Sequence, residues 1–308
     1  MAKITTLCNE FRLNLETLGR KPKYISLCMH RMRKLTDFLR KEYNITEIED
    51  VTVAHIKAFI RQRQALGKEK NITINGLIAT YRVFFQMLVD DEYIDEKSNP
   101  MIRVKNLKED KRVIITFNDD EVKRIINDVP EATYSNIRDK LILIFLFDTG
   151  IRVSELCDIR NDDIKGDHIL IRGKGSKERI VYISKIMRRY MRRYEVSRKE
   201  RFRRREPDEI ADNYFLDQSA EPLSRSRINK ILKEHCDNVK VRKEVRCSPH
   251  DCRHYFAQKQ LRNGVDIYTL SRLLGHYDTS MTAKYLRGIA QEDMLMIGRQ
   301  FSPLRDMR

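Results

Sequence analysis

Two side chains near the end of the chain are spaced so that they can hold one anion. The segment 248–251, Ser-Pro-His-Asp, has the features of a helix start, with Ser as the N-cap, Pro at the first helical position and an acid in the first turn. His250 and Arg253 are three residues apart and therefore share a face of this helix. The free backbone N–H groups of a first helical turn also attract anions. The spacing thus indicates an anion-binding site.

A second histidine follows on the same predicted helix. His250 and His254 form the pattern H-x-x-x-H, which can present two metal ligands on one helical face. The residue after the first His is Asp251, however, where the metalloprotease pattern has Glu, and the sequence shows no third ligand. We therefore predict no metal site and interpret His254 as a packing residue.

A tyrosine lies in a second candidate region. The segment 270–286, LSRLLGHYDTSMTAKYL, predicts a helix that ends at Gly275, a short loop that exposes His276, and a further helix that carries Tyr285. A lone tyrosine is more often a core residue with a hydrogen-bonded hydroxyl. Tyr285 therefore becomes a candidate nucleophile only in combination with the other residues.

Two basic side chains lie at the ends of other predicted elements. The apolar helix DKLILIFLFD is broken by Thr149 and Gly150, which places Arg152 at the start of the next helix. The β-rich runs HILIRG and RIVYIS are separated by KGSKE, so we predict a hairpin with Lys174 at its tip or shoulder. Taken singly, each of these residues would be interpreted as surface charge.

The composition favours a polyanionic partner. The 308 residues carry a formal net charge of +16, and the pI is about 9.6, so phosphate is the first ligand to consider. The segment 185–205 contains eleven Lys or Arg residues with aromatic residues among them. Such a segment can follow a DNA backbone or form a solvated basic face, and both interpretations remain open.

Cysteine usage and hydropathy indicate the compartment. The six cysteines are scattered and contain no C-x-x-C pair, which is typical of reduced intracellular thiols. We find no apolar run of about 18 residues and no signal-peptide core. We therefore predict a cytoplasmic, nucleoid-associated protein without a membrane partner.

The chain divides into two predicted domains. Helical spacing of apolar residues predicts four helices near 4–18, 24–42, 52–66 and 71–93, with Thr52 and Asn71 as N-caps, and these form an all-helical domain over residues 1–100. The charged, aperiodic segment 101–114 is predicted to be a linker. Asn118 and Glu121 resemble a capping box that opens a second domain over 115–290, which leaves 291–308 as a tail.

These segments together resemble the tyrosine recombinase family, which includes the Xer recombinases, phage and conjugative-transposon integrases, and Cre. The matching segments are TGIRVSEL, GKGSKER, HDCRH, LLGH and the Tyr nine residues after the last His, in the family's order and spacing. The resemblance covers residues 115–290 closely and the N-terminal domain more loosely, by length and helix count. It implies a mainly α fold with a small antiparallel β-sheet, in which a helical, SAM-like core-binding domain and a catalytic domain form a two-domain, C-shaped DNA clamp.

The resemblance also assigns roles by position. It makes Arg152 and Arg253 the guanidiniums that clamp the scissile phosphate, and Tyr285 the nucleophile. Lys174 becomes the hairpin lysine, preferred to Lys177 because it directly follows Gly173. The remaining members of the set are His250 and His276 beside the phosphate and Glu155 in a supporting position.

The chemistry fits these residue types. Attack on a phosphodiester builds negative charge on the nonbridging oxygens, which two Arg forks can hold. His250 can accept the phenolic proton of Tyr285, and Lys174 can protonate the departing 5′-oxygen. A 3′-phosphotyrosyl intermediate conserves the bond energy, so the reaction is expected to need no metal and no cofactor.

The expected partner is duplex DNA. Because about 115 residues precede the catalytic domain, we expect no arm-binding domain. The chain then resembles the compact Xer-like type, which acts on short inverted core sites as a homotetramer on two DNA sites. The apolar stripe of the segment from Ile289 to Phe301 is expected to dock on a neighbouring subunit, with docking on its own domain as the alternative. An accessory factor stays unknown.

The candidate DNA contacts, to bases or to phosphates, are Lys23, Arg31, Arg61, Arg63, Asn75, Arg82, Lys177 and Arg179.

Two other classes of function remain as alternatives. A type IB topoisomerase would use a similar set of residues as a monomer that relaxes supercoils. A non-catalytic architectural DNA-binding protein would be favoured if the catalytic set were incomplete. Tetramer formation and strand exchange discriminate the first alternative from a recombinase.

Overall fold

The computed structural model describes residues 2–109, 114–173, 178–286 and 298. The chain divides into two compact units, residues 1–111 and residues 112–308. Both are mainly helical, and the second contains a three-stranded antiparallel sheet. This confirms the predicted fold class of a mainly α protein with a small antiparallel β-sheet.

The first unit contains the four predicted helices. They are α1 Ile4–Thr17, α2 Pro22–Tyr43, α3 Val53–Ala65 and α4 Asn71–Asp90. One short 3₁₀ turn, Ile48–Asp50, lies between α2 and α3, and another, Glu96–Ser98, lies after α4. Helix α2 begins two residues earlier than predicted because Pro22 occupies its first turn, where a missing N–H group costs nothing.

The core of the first unit is built around aromatic side chains. Phe59 contacts Phe38 and Tyr81 edge to face, with ring centroids 5.2 and 5.9 Å apart. Among the described residues, α4 is the one helix long and apolar enough to cross a membrane, but Ile74, Ile78 and other residues of its apolar face are buried in this core. Packing within the unit therefore accounts for the apolar character of α4.

The segment after the first unit's helices differs from the predicted linker. Met101 and Val104 are buried in the core of the first unit. The Asn75 amide donates to the Leu107 carbonyl at 3.0 Å and accepts from the Leu107 N–H at 2.7 Å. Asn71, predicted as an N-cap, lies inside α4 and donates to the Lys108 carbonyl at 2.8 Å. Residues 101–109 therefore pack on α4 and do not form a free linker.

The second unit contains eight helices within its described residues. In chain order they are α5 Asp119–Asp128, α6 Tyr134–Thr149, α7 Val153–Asp158, α8 Lys185–Phe202, α9 Arg225–Asn238, α10 Pro249–Arg262, α11 Ile267–Leu274 and α12 Thr279–Leu286. The 3₁₀ turns lie at Asn161–Asp163 and Pro207–Glu209. The Asn118 and Glu121 capping box that was predicted at the start of α5 is confirmed.

The sheet of the second unit is a small meander. Its strands are β1 Ile164–Lys165, β2 His168–Arg172 and β3 Glu178–Tyr182, in the order β1-β2-β3. In the register of β2 and β3, His168 pairs with Tyr182 and Arg172 pairs with Glu178. The predicted hairpin is therefore confirmed. Its loop at 174–177 lies outside the described residues.

Helix α6 forms the centre of the second unit. Its residues from Leu141 to Phe147 are all buried, because α8, α9 and α10 cover it. An all-round apolar helix of this kind is typical of a protein core. It ends at Gly150, and the chain from there to α7 carries the first candidate site residue. The predicted docking tail, apart from Gly298, lies outside the described residues.

Candidate active site

Arg152 lies where the sequence predicted it, at the start of a helix. Gly150 ends α6 in the left-handed conformation, with φ of +59°, and Arg152 is the N-cap of α7. The Glu155 carboxylate reaches back to this position. It accepts from the Arg152 backbone N–H at 3.0 Å and from its Nη1 at 2.8 Å. The guanidinium is thereby fixed while 39% of the side chain stays exposed.

Arg253 is held on α10 in a different way. The predicted N-terminus of α10 is confirmed, because the Ser248 and Asp251 capping box is present and Pro249 occupies the first turn. The Arg253 side chain is buried, and its Nη1 and Nη2 donate to the carbonyls of Gly150 at 2.7 Å and Leu274 at 2.5 Å. The ends of α6 and α11 therefore hold this guanidinium between them.

Three arginines meet at the C-terminal end of α11. The carbonyls of residues 273–275 accept, in that order, from Arg179 at 3.2 Å, Arg253 at 2.5 Å and Arg152 at 3.3 Å. The last carbonyls of a helix have no partner within the helix, and they form the negative end of its dipole. The end of α11 therefore gathers three guanidiniums from α7, β3 and α10.

Glu155 is the carboxylate of this cluster. Its side chain is 7% exposed and accepts from Arg179 at 2.8 Å and from Arg152. Burial raises the pKa of the Glu155 carboxyl, but the hydrogen bond and charge of Arg179, followed by those of Arg152, outweigh it and lower the pKa to about 2. The cluster therefore carries three positive charges and one negative charge at neutral pH.

Tyr285 lies on α12 with its side chain buried at 4% exposure. Its phenol lies close enough to the Arg253 guanidinium for that charge to act on it. Burial raises the pKa of Tyr285, and the charges of Arg253 and Arg152 act in the opposite direction without cancelling the rise. The phenol is therefore protonated at neutral pH and needs a base when its oxygen attacks.

The predicted histidines flank the tyrosine and the arginines. The His276 ring stacks on Tyr285 with centroids 6.2 Å apart, and its Nδ1 lies 2.7 Å from Thr282 Oγ1. Burial and the charges of Arg253 and Arg152 lower the pKa of His276 to about 4. His250 lies on the exposed side of α10, and partial burial together with nearby arginines lowers its pKa below 6.5. Both rings are therefore neutral at pH 7.

The position of His254 is one feature of the site that the sequence did not predict. This residue is buried, as a packing residue should be, but its ring lies 4.2 Å from the His250 ring and 5.3 Å from the Tyr285 ring, centroid to centroid. The four-residue spacing of the two histidines on α10 could have indicated their contact. The contact with Tyr285 depends on how α12 packs on α10, which no local pattern specifies.

The structure separates the predicted site residues into three groups. It brings Arg152, Glu155, His250, Arg253, His276 and Tyr285 to one place in the second unit. Lys174 and Lys177 lie outside the described residues. Arg179, predicted to contact DNA, has a side chain that is only 10% exposed and is bound to Glu155. Arg179 therefore supports the cluster from within the fold.

Most of the DNA-contact candidates of the first unit already have partners within it. Arg31 Nη1 donates to the Gly76 carbonyl at 2.8 Å, and Arg63 Nε donates to Glu69 at 2.9 Å. Arg82 donates to the Val104 carbonyl at 2.8 Å, and Asn75 holds Leu107 as described above. Lys23 and Arg61 are exposed.

The chemistry of the site does not suggest a metal centre. Among residues 2–109, 114–173 and 178–286, no group of three or more His, Cys, Asp or Glu side chains is placed to hold a metal ion. The groups that converge are guanidiniums, imidazoles and a phenol. Such a set binds an oxyanion and transfers protons.

Comparison with known proteins gives matches that cover most of the chain. The Phage integrase family matches residues 99–292. Tyrosine recombinase XerD of Listeria innocua is 31% identical over 282 residues, which are 91% of this chain and 89% of that protein. Two solved structures share the fold. The XerH site-specific recombinase bound to a palindromic difH substrate has a TM-score of 0.72 and 17% identity, covering 94% of this chain and 82% of that one. The Tn1549 transposon integrase in complex with transposon right end DNA has a TM-score of 0.71 and 18% identity, covering 97% and 99%.

Proposed function

Because the chain belongs to the phage integrase family of tyrosine recombinases, enzymes that cleave and rejoin DNA strands, we propose that Tyr285 is its nucleophile. The observation that carries this proposal is the convergence of the buried Tyr285 phenol with the Arg253 and Arg152 guanidiniums, which bind the adjacent Leu274 and Gly275 carbonyls. A phenol close to two guanidiniums is in position to attack a phosphate that the same guanidiniums bind.

The arginines form the proposed phosphate clamp. As Tyr285 attacks, negative charge builds on the nonbridging oxygens of the scissile phosphate, and preorganised cations lower the free energy of that state. Arg152 keeps an exposed guanidinium that can reach an incoming phosphate. Arg253 is fixed by two carbonyls, so its orientation is set before the substrate binds. Glu155 and Arg179 keep this arrangement in place.

The proton transfers complete the proposed reaction. His250 is neutral at pH 7 and accepts the phenolic proton as the bond from Tyr285 to phosphorus forms. The bond from phosphorus to the 5′-oxygen breaks, and Lys174 donates a proton to that oxygen. Reversal by the 5′-hydroxyl of a second strand reseals the DNA, because the phosphotyrosyl bond conserves the energy of the broken bond.

The proposed partner is duplex DNA with short inverted core sites, bound by a homotetramer across two sites. The support is the likeness to recombinases solved with a difH substrate and with transposon end DNA, together with the net charge of +16. The proposed location is the cytoplasm, in association with the nucleoid. The six free, buried cysteines are typical of a reducing compartment.

The test is a covalent trap. Nicked suicide substrates, made from candidate sites at the ends of the protein's genetic element, are incubated with wild type, Tyr285→Phe and the matched control Tyr268→Phe, whose ring is 71% exposed on α11. We expect a protein–DNA adduct on a denaturing gel with wild type and Tyr268→Phe and none with Tyr285→Phe. An adduct that survives in Tyr285→Phe would refute the assignment, and tight binding without any adduct would favour an architectural protein.

The biological programme is a finer part of the proposal. Integration or excision of a mobile element and Xer-like resolution of dimers both require two recombining sites, whereas a type IB topoisomerase relaxes DNA with one. Two labelled duplexes that each carry a full site discriminate these functions. We expect Holliday junctions and exchanged products, and relaxation of a supercoiled plasmid without exchange would support the topoisomerase instead.

A further inference from the structure

His254 contacts both the proposed base and the proposed nucleophile. Its ring centroid is 4.2 Å from that of His250, with an interplanar angle of 65°, and 5.3 Å from that of Tyr285, with an angle of 62°. The residues belong to α10 and α12, which pack against each other. Among the described residues, the imidazole rings that contact the Tyr285 ring are those of His254 and His276. The His250 ring contacts the His254 ring.

One nitrogen of His254 is buried without a hydrogen bond. The residue is 9% exposed, and its Nδ1 has no partner in the structure. Buried polar atoms are almost always hydrogen-bonded, because leaving one unpaired costs free energy. An apolar side chain would fill this position without that cost. The unpaired nitrogen therefore suggests a partner that forms during the reaction.

The protonation state of His254 fits an acceptor. Burial, followed by the effect of His250, lowers the pKa of His254 to about 4, so the ring is neutral at pH 7. A neutral imidazole carries a proton on one nitrogen and a lone pair on the other. With the proton on Nε2, the lone pair of Nδ1 is available to an N–H group of the neighbouring ring.

We propose that His254 is a positioning residue for His250, whose Nδ1 accepts a hydrogen bond from the His250 imidazolium that forms when Tyr285 attacks. This inference rests on the proposed function. The phenolic proton of Tyr285 moves to His250, the bond from Tyr285 to phosphorus forms as the bond to the 5′-oxygen breaks, and that oxygen takes a proton from Lys174. His254 keeps its own proton and stabilises the charged form of His250, as the third group of a catalytic triad orients its base.

The test compares variants that keep or remove the acceptor. In His254→Phe the ring remains and the acceptor is lost, whereas in His254→Asn the side-chain oxygen takes the place of Nδ1. We expect single-turnover cleavage of the suicide substrate to be about tenfold slower in His254→Phe, and His254→Asn to recover most of the rate.

The pH profile separates positioning from mere packing. Loss of the acceptor disfavours charged His250, so the acidic limb of the cleavage rate should shift to lower pH in His254→Phe and stay near wild type in His254→Asn. Asp251 and Arg253 on α10, Arg246 before α10 and Arg152 on α7 also act on His250, and neither variant changes them.

Three controls make the result decisive. Thermal unfolding and DNA binding are measured on the same preparations, and His254→Leu replaces His254→Phe where the latter fails to fold. A wild-type rate and an unshifted limb in the acceptor-free variant would overturn the inference. Absence of the adduct in wild type would instead overturn the proposed function, so the two failures are distinguishable.

Discussion

Replacement of Glu155 by Gln tests the charge balance of the arginine cluster. The carboxylate side chain is 7% exposed, and its pKa is about 2 against an ordinary 4.5. At about 1.4 kcal/mol for each pH unit, this difference corresponds to about 3 kcal/mol of folding free energy at pH 7. Because the side chain is almost fully buried, screening by solvent reduces this value little. We expect Glu155→Gln to destabilise the second unit by about that amount.

The pH dependence fixes the sign of this effect. A carboxyl whose pKa is lower in the folded state stabilises the fold fully above its unfolded value of 4.5, and that contribution is lost as the pH falls towards about 2. The free energy difference between wild type and Glu155→Gln should therefore be constant from pH 6 to 8 and shrink below pH 4.5.

Native-state hydrogen exchange provides the assay. Amides of α6, which lies at the centre of the second unit's core, exchange through global opening of that unit and report its unfolding free energy. Glu234→Gln on the exposed face of α9 is the matched control, and we expect it to change stability by less than about 0.5 kcal/mol. A loss in Glu155→Gln no larger than in the control, or one independent of pH, would refute the assigned role of Glu155.

Three further outcomes follow from the site. Gly275→Ala places a Cβ 2.8 Å from Arg179 Cδ at a residue whose φ is +63°. We expect the free energy of unfolding to fall by about 1–2 kcal/mol, measured by urea titration, and cleavage to slow, measured by adduct formation. Arg253→Lys loses the planar fork and should slow single-turnover cleavage by about 10²–10³-fold while gel shifts show unchanged DNA binding. Because burial and nearby arginines lower the pKa values of His250 and His276, the cleavage rate should change little above neutral pH and fall in more acidic buffer. A rate that rises through a midpoint above pH 7 would exclude His250 as the base.

Local patterns predicted most of the fold because they depend on neighbours in the chain. The apolar period placed the four helices of the first unit, and the capping residues Asn118 and Ser248 marked the starts of α5 and α10. The glycines at 150 and 275 marked the ends of α6 and α11. These features also placed Arg152 at a helix start and His276 in a loop, so the elements that carry the site could be predicted.

The partners of the charged side chains could not be predicted in the same way. Arg179 has the residue type of a DNA contact, but its acceptors lie 24 and 94 residues away on α7 and α11. The alternation of side chains along a strand could have indicated that Arg179 faces inward. Arg179 shares a face of β3 with buried Val181, whereas Ile180 on the other face is 57% exposed. In the sequence, the consecutive apolar residues 180–183 do not show which of them face inward.

The same limit applies to the first unit. Asn75 and Arg82 share a face of α4, as residues that contact bases in a DNA groove would. In the structure, however, both side chains bind the chain segment 104–109. Helical spacing shows which side chains share a face, but it does not show what covers that face. The start of the predicted linker was wrong for the same reason, because its sparse apolar residues Met101 and Val104 contribute to the core.

The way in which the arginines are held matters for the proposed phosphate binding. A carboxylate partner fixes a guanidinium but also cancels its charge, whereas a backbone carbonyl fixes it through a dipole and leaves the charge available. Arg253 is bound by the carbonyls of Gly150 and Leu274, and Glu155 is shared between Arg152 and Arg179. Three guanidiniums and one carboxylate leave a net charge of about +2 at the site, which matches the charge that accumulates on a phosphate in the proposed reaction. The carbonyls at the ends of α6 and α11, where glycines terminate the helices, thus fix Arg253 without lowering the affinity of the site for an anion.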